Sequence, residues 1–146
     1  MMKPQVKFTK LFINNEFVPA VSGRTFATVD PTDETEIASI AEADSEDVDR
    51  AVGAARAAFS LGSPWRTMDA SDRGRLMLKL VALMTRDKEI LASLDTVDNG
   101  KTLSDSRGDT VQSISPLGYY AGYADRIQGD TVPAEAAVGT RPRLGP

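Results

Sequence analysis

Cysteine and histidine are both absent from the 146 residues. Their absence removes disulfides, thiolate nucleophiles, cysteine–histidine zinc sites and imidazole acid–base catalysis from what these residues can do by themselves. Aromatic residues are scarce at 6%, so a core must rest on Leu, Val, Ile, Ala and Met. No apolar run approaches the length that spans a bilayer. Strong charge is lacking too: the formal net charge is -4, and no Lys/Arg block interleaved with aromatics offers the basic field that a nucleic acid needs. Neither a membrane nor a nucleic acid is therefore expected as a partner. Met1-Met2-Lys3-Pro4 carries positive charge with no apolar stretch behind it, which is not a secretory pattern, and a cytoplasmic setting is expected. Phosphate cradles of the Walker or GxGxxG type do not occur, and no GxSxG elbow is present. The acidic residues are spaced like helix caps rather than like a calcium or magnesium loop.

What is present is ordinary globular composition, 41% hydrophobic and 26% charged, in a length that suits one domain. Residues 1–10 read as a flexible arm. Leu11-Phe12-Ile13 and Glu16-Phe17-Val18 flank Asn14-Asn15, a pair that tolerates positive φ, so this stretch reads as a small β-hairpin. Residues 24–29 suit another strand, Asp30-Pro31-Thr32-Asp33 turns the chain, and residues 36–41 form a last strand anchored by Ile37 and Ile40.

Helical periodicity takes over at residues 44–100. Val48, Ala51, Val52, Ala55 and Phe59 share one side of a first helix, with Asp44 as N-cap and Asp47 completing a capping box. Gly62-Ser63-Pro64 stops it, and Trp65 reads as a packed lid over helix ends. A second helix over 69–86 is expected to be capped by Asp69, with Leu76, Leu80, Leu83 and Met84 as its core face. A third over 88–97 carries Ile90, Leu91, Leu94 and Val97, and ends at Asn99-Gly100. Asp95 and Asp98 sit near its negative end, a poor place for carboxylates without a compensating cation or partner. Simple exposure is the bland reading of Asp95, and a hydrogen bond to the turn backbone is that of Asp98. Lys101 reads as a solvated lysine. Beyond residue 104, Gly108, Pro116, Gly118 and Gly122 weaken a helical pattern, so a helix beginning after Gly118 is expected rather than one spanning Pro116. Tyr119, Tyr120 and Tyr123 cluster there, with packing as their default role.

Taken together, several stretches resemble the N-terminal portion of the NAD(P)-dependent aldehyde dehydrogenase superfamily, nearest its cytosolic/mitochondrial and retinal branch. They include Leu11-Phe12-Ile13-Asn14-Asn15-Glu16-Phe17, Thr28-Val29-Asp30-Pro31, Glu46-Asp47-Val48-Asp49-Arg50-Ala51-Val52 and Ala54-Ala55-Arg56-Ala57-Ala58-Phe59. Further along come Gly62-Ser63-Pro64-Trp65-Arg66-Thr67-Met68, Asp98-Asn99-Gly100-Lys101 and Tyr119-Tyr120-Ala121-Gly122-Tyr123-Ala124-Asp125. The resemblance runs over residues 11–133, while the tail over 134–146 diverges and reads as disordered.

The resemblance implies an α/β fragment: an N-terminal β-hairpin and short strands, then a helical layer of the NAD-binding domain, with the Rossmann core missing. It implies a partial monovalent-cation site at Thr28, Val29 and Asp98, whose other ligands come from sequence beyond these residues. Gln112 falls near a position lining the substrate entrance, and Gly118 stands where the family has an arginine. No catalytic and no cofactor-binding residue is carried over, because the family's cysteine, general-base glutamate, cofactor lysine and glycine-rich turn have no counterpart here. NAD or NADP is implied only for the full-length family. The expectation is thus an aldehyde-oxidising lineage, with this chain a truncated and catalytically inactive fragment. One alternative is an interaction module that associates with full-length aldehyde dehydrogenase subunits, and another is a self-standing helical structural domain.

Overall fold

Asn14 and Asn15 both take positive φ, 51° and 64°, the pair of left-handed conformations that a two-residue hairpin turn requires. They join β1 (Leu11–Ile13) to antiparallel β2 (Glu16–Val18), with Leu11 facing Val18. A second hairpin pairs β3 (Thr25–Val29) with β4 (Glu36–Ala41), with a register shift at Thr28/Val29. The computed structural model describes residues 4–127. Expectations for residues 1–3 and for the tail beyond 127 lie outside the described residues. Each hairpin is its own two-stranded sheet, and no parallel sheet occurs among the described residues. Two residues of the 1–10 arm bridge the hairpins. The Phe8 ring stacks on Phe17 at 4.6 Å between centroids, and the Ala41 amide donates to the Thr9 carbonyl at 2.8 Å.

Helix α1 (Ser45–Phe59) starts as the sequence predicts, with both halves of the Asp44/Asp47 capping box formed. Asp47 does more than cap. Its side chain is 1% exposed, and it accepts from the Val21 amide at 3.1 Å and the Asp44 amide at 3.3 Å. The Arg50 guanidinium stands 3.7 Å away. One carboxylate therefore fastens the loop after β2 to the first turn of α1.

Four further helices follow: α2 (Pro64–Thr67), α3 (Ala70–Arg86), α4 (Lys88–Asn99) and α5 (Leu103–Ala121). Short strands followed by a helical layer is the arrangement expected from the sequence, but several local expectations are corrected. Trp65 lies in the four-residue α2 and remains half-exposed, which is less covered than a packed lid would be. Asp69 occupies the N-cap position of α3 without making a cap hydrogen bond through its side chain. Helix α5 spans Pro116 and ends at Ala121, and no new helix begins after Gly118. Thr102 supplies the start, its hydroxyl accepting from the Asp105 amide at 3.2 Å. Packing explains why the helix survives the missing Pro116 N–H. Gly74 of α3 lies so close to α5 that a Cβ there would meet the Ala121 carbonyl oxygen at 2.8 Å. Continuing the helix keeps that contact, which outweighs one lost backbone bond.

The crossing at Gly74 also reassigns the faces of α3. Leu76, Leu80 and Leu83, expected as its core side, are exposed, because α5 meets the helix on the side that carries Gly74. On α1, Val48 and Phe59 are 54% and 66% exposed. The buried apolar residues are Ala20, Ala41, Ala92, Val97 and Ala121, and no described Leu, Ile, Phe or Met is among them. Helix faces at core spacing thus stand open.

Removing the Asp47 carboxylate should detach the first hairpin region from α1. We expect Asp47→Ala to leave the Val21 and Asp44 amides without their acceptor, at a cost of about 1–3 kcal/mol. Hydrogen exchange checks this: Val21 and the first turn of α1 should lose protection first, while α4 and α5 hold theirs.

Candidate functional site

The C-terminus of α4 gathers most of the notable chemistry. Gly100 caps it in the left-handed conformation at φ 81°, and a Cβ at that position would meet the Pro31 ring at 2.8 Å. The turn between β3 and β4 therefore rests on the helix end. From β3, the Thr28 hydroxyl donates to Asp98 Oδ1 at 3.1 Å. Two of the three residues proposed for a cation are thus joined by a hydrogen bond across 70 positions of sequence. Val29 follows Thr28 at the register shift that disrupts the strand ladder. Oxygen donors at a negative helix end are chemistry suited to a hard cation. Among the described residues no three Asp, Glu, His or Cys side chains converge as a metal-binding group.

Asp95 and Lys101 depart from their sequence readings. Lys101 is not a freely solvated lysine: its ammonium lies 2.6 Å from Asp95 Oδ2 and 2.6 Å from Asp109 Oδ2 of α5, with its side chain 26% exposed. Asp95 is accordingly an ion-pair partner rather than simply exposed. Beneath the clasp, the Thr96 hydroxyl donates to that of Ser106 at 2.9 Å, and Ser106 is fully buried. Sequence reasoning missed Asp109 and Ser106, and it left Lys101 without its partners. The available signal was Gly100 itself, because a left-handed cap sends the next residue back along the helix it ends.

The tyrosine cluster lies at the other end of α5. Tyr119 and Tyr123 place their hydroxyls 3.0 Å apart, and the Tyr119 ring meets Tyr120 edge-on at 5.2 Å. The rings pack on one another rather than into a core and stay exposed. The hydrogen bond with Tyr123, assisted by burial, holds the Tyr119 phenol above its ordinary value. That is the wrong direction for an activated base.

Comparison with known proteins decides the family. The model of the aldehyde dehydrogenase family matches residues 17–144. The chain belongs to the aldehyde dehydrogenase family. The match passes Ala134 and so takes in residues of the tail. An aldehyde dehydrogenase of Enchytraeus buchholzi is 50% identical over 135 residues, covering 92% of this chain and 27% of the relative. Human aldehyde dehydrogenase 1A1 is 47% identical over 143 residues, covering 97% and 28%. Among solved structures, a betaine aldehyde dehydrogenase double mutant from Staphylococcus aureus in complex with NAD+ superposes with a TM-score of 0.80. It is 31% identical, covering 85% of this chain and 25% of that one. The chain spans about a quarter of the length of the relatives it matches. The similarity lies with the cytosolic and mitochondrial branch.

Within the aldehyde dehydrogenase frame, Gln112 is an exposed residue of α5. Gly118 lies in ordinary contact distance of Val81, where a Cβ would stand 3.9 Å from Cγ2. No described helix is long and apolar enough to cross a membrane.

The clasp is sensitive to acid. The hydrogen bond from Lys101 holds the Asp95 carboxyl below its usual range, burial opposes this, and the Ser106 hydroxyl assists. A carboxyl whose folded value lies below its unfolded value stabilises the fold above the unfolded value, and that contribution is lost as pH falls through the folded value. We expect carboxyl-carbon NMR of Asp95 to titrate below the ordinary aspartate value of about 3.9, and the protection of the α4–α5 turn to fall over the same interval.

Proposed function

We propose that these residues serve as the opening part of an enzyme that oxidises an aldehyde to a carboxylic acid with NAD+ or NADP+, and that they do not perform the reaction alone. The observation that carries this is the superposition at a TM-score of 0.80 on a structure of which they cover only 25%, together with helix faces left open at core spacing. In the family reaction a thiol attacks the aldehyde, hydride passes to the nicotinamide and water releases the acid. No cysteine is present to attack. The dinucleotide does not fit the residues present either. Its pyrophosphate needs a glycine-rich turn at a helix N-terminus, and the sequence has none. No step of the reaction is therefore assigned to these side chains. Their roles are to shape the layer beside the cofactor domain and to contribute Thr28, Val29 and Asp98 to a monovalent-cation site. Purified chain mixed with NAD+ and a small aldehyde should give no saturable, chain-dependent rise in reduced-nicotinamide absorbance; such a rise would overturn this reading.

A second reading is favoured by the open faces themselves. Val48, Val52 and Phe59 on α1 and Leu76, Leu80 and Leu83 on α3 are exposed apolar residues at helical spacing, and patches of that kind associate. We propose aldehyde dehydrogenase subunits as the partner. Mixed with a full-length family member, the chain should co-elute at fixed stoichiometry in size-exclusion chromatography. Separate elution at every ratio would rule this partner out.

A further inference from the structure

Tyr119, Tyr120 and Tyr123 are all the tyrosines of the chain, and they sit together where α5 ends. They are 60%, 61% and 42% exposed, so a reagent in solution reaches each ring. The three ring pairs are not alike. Tyr119 and Tyr120 are consecutive, and their rings meet edge-on, with 84° between the planes. Tyr120 and Tyr123 stand further apart, at 6.3 Å between centroids. Tyr119 and Tyr123 are four apart, the spacing that sets side chains beside one another on a helix. The turn after Ala121 keeps that placement, with the Tyr123 amide donating to the Tyr120 carbonyl at 3.0 Å. The two rings lie 5.0 Å apart with 42° between their planes, and their hydroxyls meet at 3.0 Å. Two phenols joined through the carbons next to their hydroxyls carry those hydroxyls side by side, on rings that are twisted rather than stacked. The Tyr119–Tyr123 pair already holds that arrangement.

We propose that Tyr119 and Tyr123 form an oxidative cross-linking site, at which hydrogen peroxide and a haem peroxidase join the two rings as a dityrosine within one chain. Each phenol gives up one electron and its hydroxyl proton, leaving a phenoxyl radical. The two radicals pair to form a carbon–carbon bond between the ortho carbons. Each joined carbon then loses its ring hydrogen as a proton, and each oxygen regains one, which restores both phenols. The net loss is two hydrogens, and peroxide takes those two electrons and two protons to become two waters. Reactants held in this geometry couple as a unimolecular step, which outruns coupling between chains. No cysteine is present in the sequence to be oxidised first. The bridge would span Ala121, whose carbonyl oxygen lies 2.8 Å from where a Cβ of Gly74 would stand. It would therefore fasten the end of α5 on which α3 packs. The inference depends on neither the aldehyde reaction nor the cation site.

The full chain treated with hydrogen peroxide and a haem peroxidase provides the test. The monomer should lose the mass of two hydrogens and gain the blue fluorescence of a biphenol. Trypsin should place the change in the peptide over residues 108–126, which holds all three tyrosines. Fragmentation of that peptide should release no separate pieces by backbone cleavage anywhere between Tyr119 and Tyr123. Pieces released by cleavage between Tyr119 and Tyr120, or between Tyr120 and Tyr123, assign the bridge to another pair and overturn the proposal. Tyr120→Phe should cross-link as wild type does, while Tyr119→Phe and Tyr123→Phe should each cut the monomer yield about tenfold. Fluorescence confined to covalent dimers, or a monomer yield that Tyr119→Phe leaves intact, likewise overturns it. The peptide map is read on the unaltered chain, so it decides the question even where a variant fails to fold.

Discussion

A residue without a side chain governs how the parts of this chain meet. Gly100 must take a left-handed conformation to end α4, and Pro31 leaves no room there for even a methyl group. Both constraints act on the same few atoms. They fix where the β3–β4 turn sits, in which direction α5 departs, and that Lys101 returns toward the helix it has just left. The Thr28–Asp98 hydrogen bond and the ionic clasp are consequences of that reversal. A larger residue at this position would have to give up either the helix cap or the seat of the hairpin, and neither carboxylate would keep its present partner.

Elsewhere, the described residues are organised by polar and backbone contacts more than by apolar burial. The largest fully buried side chains are Asp47 and Ser106, one linking a loop to α1 and the other lying between α4 and α5. Meanwhile Val48, Val52, Phe59, Leu76, Leu80 and Leu83 remain in large part accessible. Fully burying a side chain of this size is worth about 1.5–3 kcal/mol, while a whole domain is stable by about 5–15 kcal/mol. Whatever covers those six decides the stability of the assembled domain. A chain that spans about a quarter of its relatives and leaves such faces open is organised as one layer of a larger packing unit.

What could be read from the sequence followed the range of the interactions. The Asn14-Asn15 turn, the Asp44/Asp47 capping box and the Asn99-Gly100 stop are set within a few residues, and all three form. Thr28 and Asp98 came from family resemblance, and the structure sets them side by side. Pro116 departs from its local reading because its cost is local while the compensation comes from α3, on a helix thirty or more positions earlier. Periodicity marks the leucines of α3 as a core face without saying which partner will meet them. Lys101 was hidden for a related reason. No apolar pocket is implied around it in the sequence, which reads as a solvated side chain, and only the reversal at Gly100 shows that two carboxylates await it.

A core built from alanines has a further consequence. Four of the five buried apolar residues are already alanine, so truncation has almost nothing to remove at those positions, while larger side chains such as Ile37, Ile40, Leu94 and Leu117 are only partly covered. Mutational sensitivity is displaced onto positions that a hydrophobicity profile would pass over: an aspartate, a serine and two glycines. In this part of the fold, tolerance to substitution should follow geometry and hydrogen bonding, and side-chain size will be a poor guide to which changes the chain can absorb.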